Sequence, residues 1–496
     1  MTAPRPTTVP HQRGERLRAV IVGAGSAGRG LARDLAGATS FGLEPIGFLD
    51  DDPLKQQTEL DGLEVRGTLD ELADVIDRGR VDVVLIAIPS LPTAEVRKIA
   101  LRAAACGVSV RHLPPFLAAL TREIAGSDLR TLQIGALIGR QEMHVVSGKV
   151  SAVLTGKRVL VTGAGGSIGS ELCRQVHGFN PESVIMVDHD ESNLHRLQLD
   201  LWGEALLDTA SIVVGDIRDQ ERLHQIFREH RPQVVFHAAA LKHLPVLEQH
   251  PCEGVKSNVI GTENLVRAAV EHDVEKFVLI STDKAANPSS VLGATKRLAE
   301  LVLGTYQTST TSLCAVRFGN VLGSRGSLLH VLREQLSAGL AVTVTDPDVT
   351  RFFMTIEEAV GLVLQAARMS AGGATYILDM GQPVRIVDLV RNFADMLNIG
   401  EVDFRYTGLR PGEKLEEELW GLGEECLETD HPRISMTLLP PASPGFRANL
   451  RDLYDAAHHN RADEVFGFLR KLVPEYRPAA ERACVAITHV PYPDDY

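Results

Sequence analysis

The sequence is poor in aromatic residues, which make up 5% of its 496 positions, and in cysteine, of which it has six. Cys106, Cys173, Cys252, Cys314, Cys426 and Cys484 are scattered with no CxxC pair. That spacing excludes a disulfide framework and a cysteine-based zinc site, and fits inert thiols in a reducing cytoplasm. A basic excess is also missing: 51 Lys and Arg stand against 64 Asp and Glu, a net charge of −13. General nucleic-acid binding rests on cationic contacts to phosphate, so the balance argues against a nucleic-acid partner while leaving room for a local cationic pocket. No stretch approaches the roughly 18 apolar residues that span a bilayer. The N-terminus, MTAPRPTTVPHQRGERLR, lacks the apolar core of a signal peptide. The expectation is a cytoplasmic chain with no transmembrane segment.

What the sequence does have is one event twice. A β-branched run at 18–22 leads into Gly23, Gly25 and Gly28 and then a helical pattern, GRGLARDLAG. A second run at 158–162 leads into Gly163, Gly166, Ser167, Ile168 and Gly169 and then SELCRQVHGF. Strand, glycine turn and helix suit a phosphate, because backbone can approach it closely and the helix start presents N–H groups. The first turn reads GxGxxG, with Asp50 closing the next strand, and is a possible second nucleotide site. The second reads GxxGxxG, the spacing typical of short-chain dehydrogenase/reductases, with Asp188 closing the strand SVIMVD. A carboxylate there accepts from ribose hydroxyls and repels a 2′-phosphate, which favours NAD over NADP.

Alternating strands and helices continue after each turn. The fold class expected is α/β, with two Rossmann-like, doubly wound parallel-sheet domains. The second is an extended short-chain dehydrogenase/reductase fold with seven strands, at 158–162, 183–188, 211–216, 232–240, 276–281, 312–320 and 374–380, and a small C-terminal substrate-binding part. The domain boundaries expected are a disordered arm over 1–17, the first nucleotide-fold domain over 18–140 and a linker over 141–156. A catalytic domain follows over 157–440 and a helical appendage over 441–496.

The sharpest chemical signal is Thr282-Asp283-Lys284, just past the strand KFVLIS, where ligands of open parallel sheets bind. Lys296 follows on a helical stretch, but the position four residues before it, where a classical member of this superfamily carries a proton-accepting Tyr, is Leu292. Leucine moves no proton. An adjacent hydroxyl, carboxyl and amine exceeds what alcohol oxidation needs and suits hydride transfer combined with an elimination.

From about residue 155 to 420 the chain resembles the UDP-N-acetylglucosamine 4,6-dehydratases of bacterial capsule and polysaccharide biosynthesis. The matching stretches are TGAGGSIGSEL (162–172), HAAALKHLPVLE (237–248), NVIGTENL (258–265), STDKAANPSSVLGATKR (281–297), RFGNVLGSRGS (317–327), TRFFMTIEEAV (350–360), LDMGQPVRIVDL (378–389) and GLRPGEKLEEEL (408–419). Longer members begin with transmembrane helices, so the chain resembles a soluble form, and Leu292 is closest to members with Met there. The resemblance implies NAD as cofactor and a UDP-N-acetylhexosamine as substrate. It also implies oxidation at C4, loss of water across C5 and C6, and return of hydride to C6. By the same resemblance Thr282 bonds the C4 oxygen, Asp283 protonates the departing hydroxyl and Lys284 removes the C5 proton. Lys296, counted with the catalytic residues, would also hold the nicotinamide ribose, Asp216 and Ile217 the adenine, and Ala238, Ala239 and Ala240 leave room for the cofactor. Lys242, Asn258, Asn320, Arg351, Arg410 and Glu413 fall at substrate positions, the arginines suiting a diphosphate.

The elimination asks for a neutral Lys284 and a protonated Asp283. Lys242, or water relayed through Thr282, are the options for the C4 hydroxyl proton. His237 and His243 lack a third ligand, so no metal is expected. A homo-oligomer is expected on superfamily grounds. Two other functions remain open: a nucleotide-sugar 4-epimerase, and an inactive sensor of NAD and nucleotide sugar.

Overall fold

The computed structural model describes residues 17–37, 43–88, 91, 95, 99, 102–103, 106, 108–112, 130–131, 150–203, 209–306, 310–322, 328–337, 339–370, 372–396, 401–440 and 442–478. The chain forms two compact units, the first of Met1–Gly148 with Met396–Asn398 and the second of Lys149–Asp395 with Ile399–Tyr496. Residues 1–16 of the expected arm and 141–149 of the expected linker lie outside the described residues. Leu17, assigned to the arm, starts a strand, and Ser151–Leu154 of the linker is a helical turn with Leu154 buried.

In the first unit β1 (Leu17–Val22), β2 (Leu43–Leu49), β3 (Val83–Ile86) and β4 (Ser109–His112) form a parallel sheet in the order β2-β1-β3-β4. A short antiparallel strand, β5 (Arg130–Thr131), extends it. Alternate residues of β1 enter different cores. Ala19 and Ile21 pack with Leu31 and Leu35 of α1 (Ser26–Gly37), and Val20 and Val22 pack with Leu72 and Ile76 of α2 (Leu72–Gly79). Period-two side-chain alternation with both faces apolar is what a sheet covered on both sides requires.

The second unit repeats the plan at larger size. Its strands are β6 (Arg158–Thr162), β7 (Ser183–Asp188), β8 (Ile212–Val214), β9 (Val234–His237), β10 (Lys276–Ile280), β11 (Ser312–Arg317), β12 (Ala374–Leu378), β13 (Leu427–Glu428) and β14 (Ile434–Leu438). They run β8-β7-β6-β9-β10-β11-β12-β14-β13. The first seven in that row are parallel and correspond to the seven expected strands, while β14 and β13 join antiparallel. The strand order reverses between β6 and β9, which opens a crevice at their carboxyl ends.

On one face α5 (Gln220–His230), α6 (Gly261–Glu271) and α7 (Val291–Gly304) bury Leu223, Phe227, Leu265 and Leu303 against Leu160, Val235, Phe277 and Leu313 of the strands. On the other, α3 (Ser167–His177) packs with α8 (Ile356–Met369), which also meets β10, β11 and β12. Side-chain caps start several of these helices: Asp219 accepts from Arg222 N, Ser290 from Gly293 N and Thr355 from Glu358 N. Each satisfies an N–H that the helix itself leaves unpaired.

The expected C-terminal appendage is part of a core. Its helices α9 (Phe446–His458) and α10 (Ala462–Leu472) bury Leu450, Leu453, Ala457, Val465 and Leu469 together with Val291, Leu298 and Val302 of α7. Their apolar residues recur at helical spacing, so each has one face that must be covered.

Candidate active site

The nucleotide turn between β6 and α3 is tight for a stated reason. Gly163 has φ +65°, and a Cβ on Gly169 would stand 2.0 Å from the Gly163 carbonyl oxygen. Glycine at both places lets the first turn of α3 fold back over the strand end, leaving Gly166 exposed and Ser167 and Ile168 half-buried at the helix start. Asp188 closes β7 beneath this turn; its Oδ2 accepts from Gly165 N at 2.8 Å and its Oδ1 from Asp190 N at 3.0 Å. A carboxylate carries about four acceptor positions, so capacity remains for ribose hydroxyls. A buried carboxylate under a glycine turn, a helix start beyond it, and small Ala238 and Ala239 at the end of β9 fit the adenosine and pyrophosphate of a dinucleotide.

Other expected cofactor residues are placed differently from one another. Asp216 is ion-paired with Arg218 at 2.6 Å. Ile217 turns its side chain into the core, against Gly261, leaving only its backbone to a ligand. Ala240 is exposed. Lys296 is buried and donates to the Ile280 carbonyl at 2.6 Å, and burial pulls its amine down to about 8. His237 is buried between Thr162 and Thr262, with its ring nitrogens 2.8 and 2.9 Å from their hydroxyls. Burial lowers the imidazole to about 3, so it is a neutral member of a polar core, while His243 is exposed.

The first unit repeats the turn in miniature. Gly23, Gly25 and Gly28 link β1 to α1, and Asp50 accepts from Ala24 N at 2.7 Å and from Asp52 N at 3.0 Å. Asp50 also pairs with an ammonium, Lys55 Nζ at 3.1 Å, where Asp188 has an imidazole, His189 Nδ1 at 3.3 Å.

The catalytic candidates lie where β10 and β11 end. The chain leaves β10 through Ser281 and Thr282 into a 3₁₀ turn, Asp283–Ala285. Helix α7 fixes that turn from below, since a Cβ on Gly293 would meet the Lys284 carbonyl oxygen at 2.3 Å. Thr282 Oγ1 donates to Asp283 Oδ1 at 2.9 Å, and Lys284 Nζ donates to the same oxygen at 2.9 Å. Lys284 also reaches Asn320 Oδ1 at 3.3 Å, which brings the segment after β11 into the site. Asp283 Oδ2 is buried with no hydrogen-bond partner among the described residues. A buried carboxyl oxygen left in that state is costly unless something brings it a proton or a donor. Burial works against a charge on Lys284, but the carboxylates of Asp283 and Glu417 outweigh it and raise its pKa. In this arrangement Lys284 is an ammonium, not yet the neutral base that the elimination asks for.

Arg351 and Arg410 converge on one carboxylate. Glu413 lies 3.1 Å from Arg351 and 3.2 Å from Arg410, the first guanidinium buried and the second exposed. A guanidinium pairs with phosphate oxygens in the same two-pronged way as with a carboxylate, so both side chains suit a diphosphate. Asn258 is spent on the fold: its amide spans Leu241 N, Leu241 O and Thr295 Oγ1, pinning the loop after β9 on which the exposed Lys242 sits. These bonds use both ends of the amide that was expected to face the substrate. Leu292 is buried with Val259, Ile260 and Val291, so the usual tyrosine position is plain hydrocarbon.

Two acidic residues were missed by sequence reasoning. Glu300, on α7, accepts from Ser281 Oγ at 2.6 Å and pairs with Arg317 at 2.6 Å, and these contacts, with Arg297, overcome burial and hold its carboxyl near 2. Arg317 and Arg297 pass the charge on to Glu424, at 2.6 and 3.0 Å. The only local sign was its position one helical turn beyond Lys296. Glu417, half hidden in the acidic run LEEEL, stands 3.7 Å from Lys284 Nζ.

Comparison with known proteins places this geometry in context. A family model described as "Polysaccharide biosynthesis protein" matches residues 159–438, and one described as "CoA-binding domain" matches residues 7–114. The chain is 40% identical over 423 residues to the probable polysaccharide biosynthesis protein EpsC of Bacillus subtilis, covering 84% of this chain and 70% of that protein. It is 33% identical over 270 residues to a UDP-N-acetylglucosamine 4,6-dehydratase (inverting) of Campylobacter jejuni, covering 53% and 76% of the two. A UDP-glucose 4-epimerase of Rickettsia rickettsii is 32% identical over 289 residues, covering 56% and 81%. Among solved structures, Pen from Bacillus thuringiensis superimposes with a TM-score of 0.53 at 31% identity, covering 58% of this chain and 89% of that one. Among the described residues, no helix is long and apolar enough to cross a membrane.

Proposed function

Because the chain belongs to the polysaccharide biosynthesis protein family, we propose that it is an NAD-dependent UDP-N-acetylhexosamine 4,6-dehydratase. The observation that carries this reading is the turn Thr282–Lys284, with its unpartnered buried Asp283 oxygen, beside a leucine where an alcohol dehydrogenase would keep its base. An epimerase needs no acid for a leaving hydroxyl.

The glycine turn, Asp188 and Lys296 would hold NAD, whose chemistry is to take a hydride from one carbon and give it back to another. The unphosphorylated cofactor is favoured because a 2′-phosphate would meet the Asp188 carboxylate. Thr282, already donating to Asp283, is the relay for the C4 hydroxyl proton: its oxygen accepts that proton as its own passes to Asp283. Asp283 then gives it to the departing C6 hydroxyl, and Lys284 takes the C5 proton made acidic by the ketone. Arg351 and Arg410, freed in part from Glu413, would hold the diphosphate.

In the first unit we propose a second nucleotide site at Gly23, Gly25, Gly28 and Asp50, where Lys55 makes room for a more anionic ligand than Asp188 would accept.

The test is turnover of UDP-N-acetylglucosamine in D2O, followed by NMR. A dehydratase gives a 4-keto-6-deoxy sugar with deuterium at C5. An epimerised sugar without label would establish the epimerase instead, and tight binding without turnover the sensor.

A further inference from the structure

Glu417 belongs to the segment 408–419, remote in sequence from the turn it faces. Its side chain is 4% exposed, and its Oε1 lies 3.7 Å from Lys284 Nζ. The charged groups around it are Lys284 and Asp283 from the turn after β10, Arg351, and Lys414 of its own segment. Those around Lys284 are Asp283, Glu417 and Arg351, the last itself paired with Glu413 at 3.1 Å. Burial raises the Glu417 pKa, so this carboxylate takes up a proton more readily than an exposed glutamate.

The need for such a group follows from counting protons, and it rests on the dehydratase reading above. One turnover releases a proton from the C4 hydroxyl and uses one at the C6 hydroxyl. Thr282 leads the first to Asp283, which supplies the second, so Asp283 is filled before the elimination. Lys284 must nevertheless shed its own proton to act as the base. Asn320 is an amide and Arg351 does not give up or accept a proton at working pH. Glu417 is the acceptor left among the groups facing Lys284.

We propose that Glu417 is a positioning residue that holds the proton of Lys284 while Lys284 acts on the substrate. The ammonium N–H bond breaks and an O–H bond forms on Glu417. The freed amine takes the C5 hydrogen, the C5–H electrons become the C5–C6 double bond, and the C6–O bond breaks as Asp283 gives its proton, releasing water. When C6 receives the hydride taken from C4, Lys284 returns its proton to C5 and recovers its first from Glu417. No proton is gained or lost over the cycle.

The experiment compares full-length wild type with Glu417→Gln and Glu417→Asp, the latter keeping a carboxyl on a shorter arm. In a single turnover of UDP-N-acetylglucosamine in D2O, cofactor reduction is followed at 340 nm and C5 label by NMR. The Gln variant is expected to reduce cofactor yet incorporate C5 deuterium at least about tenfold more slowly, with partial recovery in Asp. A second readout needs no turnover: trace acetylation of Lys284 against pH, read by mass spectrometry. Its midpoint falls by about one pH unit or more in Gln, because one of two neighbouring anions is gone. C5 labelling by Gln at the wild-type rate, equal loss of both steps, or an unmoved acetylation midpoint overturns the proposal. If wild type itself takes up no C5 deuterium, the dehydratase reading falls and carries this proposal with it.

Discussion

Thr282 shows how much a single hydroxyl is asked to do. In the proposed reaction its donation to Asp283 at 2.9 Å would supply the route that a tyrosine otherwise provides, since Leu292 nearby offers hydrocarbon only. Thr282→Val keeps the shape and removes the route. The expected outcome is loss of C4 oxidation by roughly 10²-fold, measured as cofactor reduction under single-turnover conditions, with little change in melting temperature. Legibility at this scale splits cleanly. The glycine turns, Asp188 and the grouping of Thr282, Asp283 and Lys284 could be picked out because their members are neighbours in sequence. Glu417 and Glu300 could not, because a carboxylate declares its role only through the cation that folding sets beside it, Lys284 for one and Arg317 for the other.

The elements explain why the turn Asp283–Ala285 stays in place. Helix α7 touches the turn at Gly293, carries Lys296 and Glu300, and is itself covered by α9 and α10. The C-terminal helices therefore act on the site through α7. Leu453→Ala, at a fully buried position on α9, is expected to cost about 2–5 kcal/mol in stability, read by urea unfolding. Of these elements, the strands and α7 were plain from β-branched runs and helical spacing. The packing of α9 and α10 was not, because an amphipathic face shows that something must cover it and not what does. Strands β13 and β14 escaped for a similar reason: two antiparallel additions at an edge have no local mark that assigns them to this sheet.

At the scale of the molecule, buried ionisable groups set the acid limit. Glu300 titrates near 2 folded and near 4.5 otherwise, so its stabilisation is complete above about pH 4.5 and is lost as pH falls toward 2. His237, held near 3 against an ordinary 6.5, is neutral when folded, so the unfolded chain binds its proton first and stability falls from about pH 6.5 downward. Each contributes on the order of a few kcal/mol. Unfolding of the second unit should begin in mild acid, above the pH at which free carboxylates titrate, and His237→Gln should move that onset lower; tryptophan fluorescence against pH measures both.

The net charge of −13 was settled by composition alone, because it is a sum over the chain, and the absence of a long apolar run by the order of its residues. The two strand–turn–helix starts were settled by local sequence, since glycine spacing and side-chain period act over a few residues. The tertiary structure decided that Asp283 keeps a buried oxygen without a partner among the described residues, that Lys284 stands between two carboxylates, and that Asn258 serves the fold. Those are properties of distance and dielectric, which exist only once remote segments are brought within a few ångströms and water is removed between them.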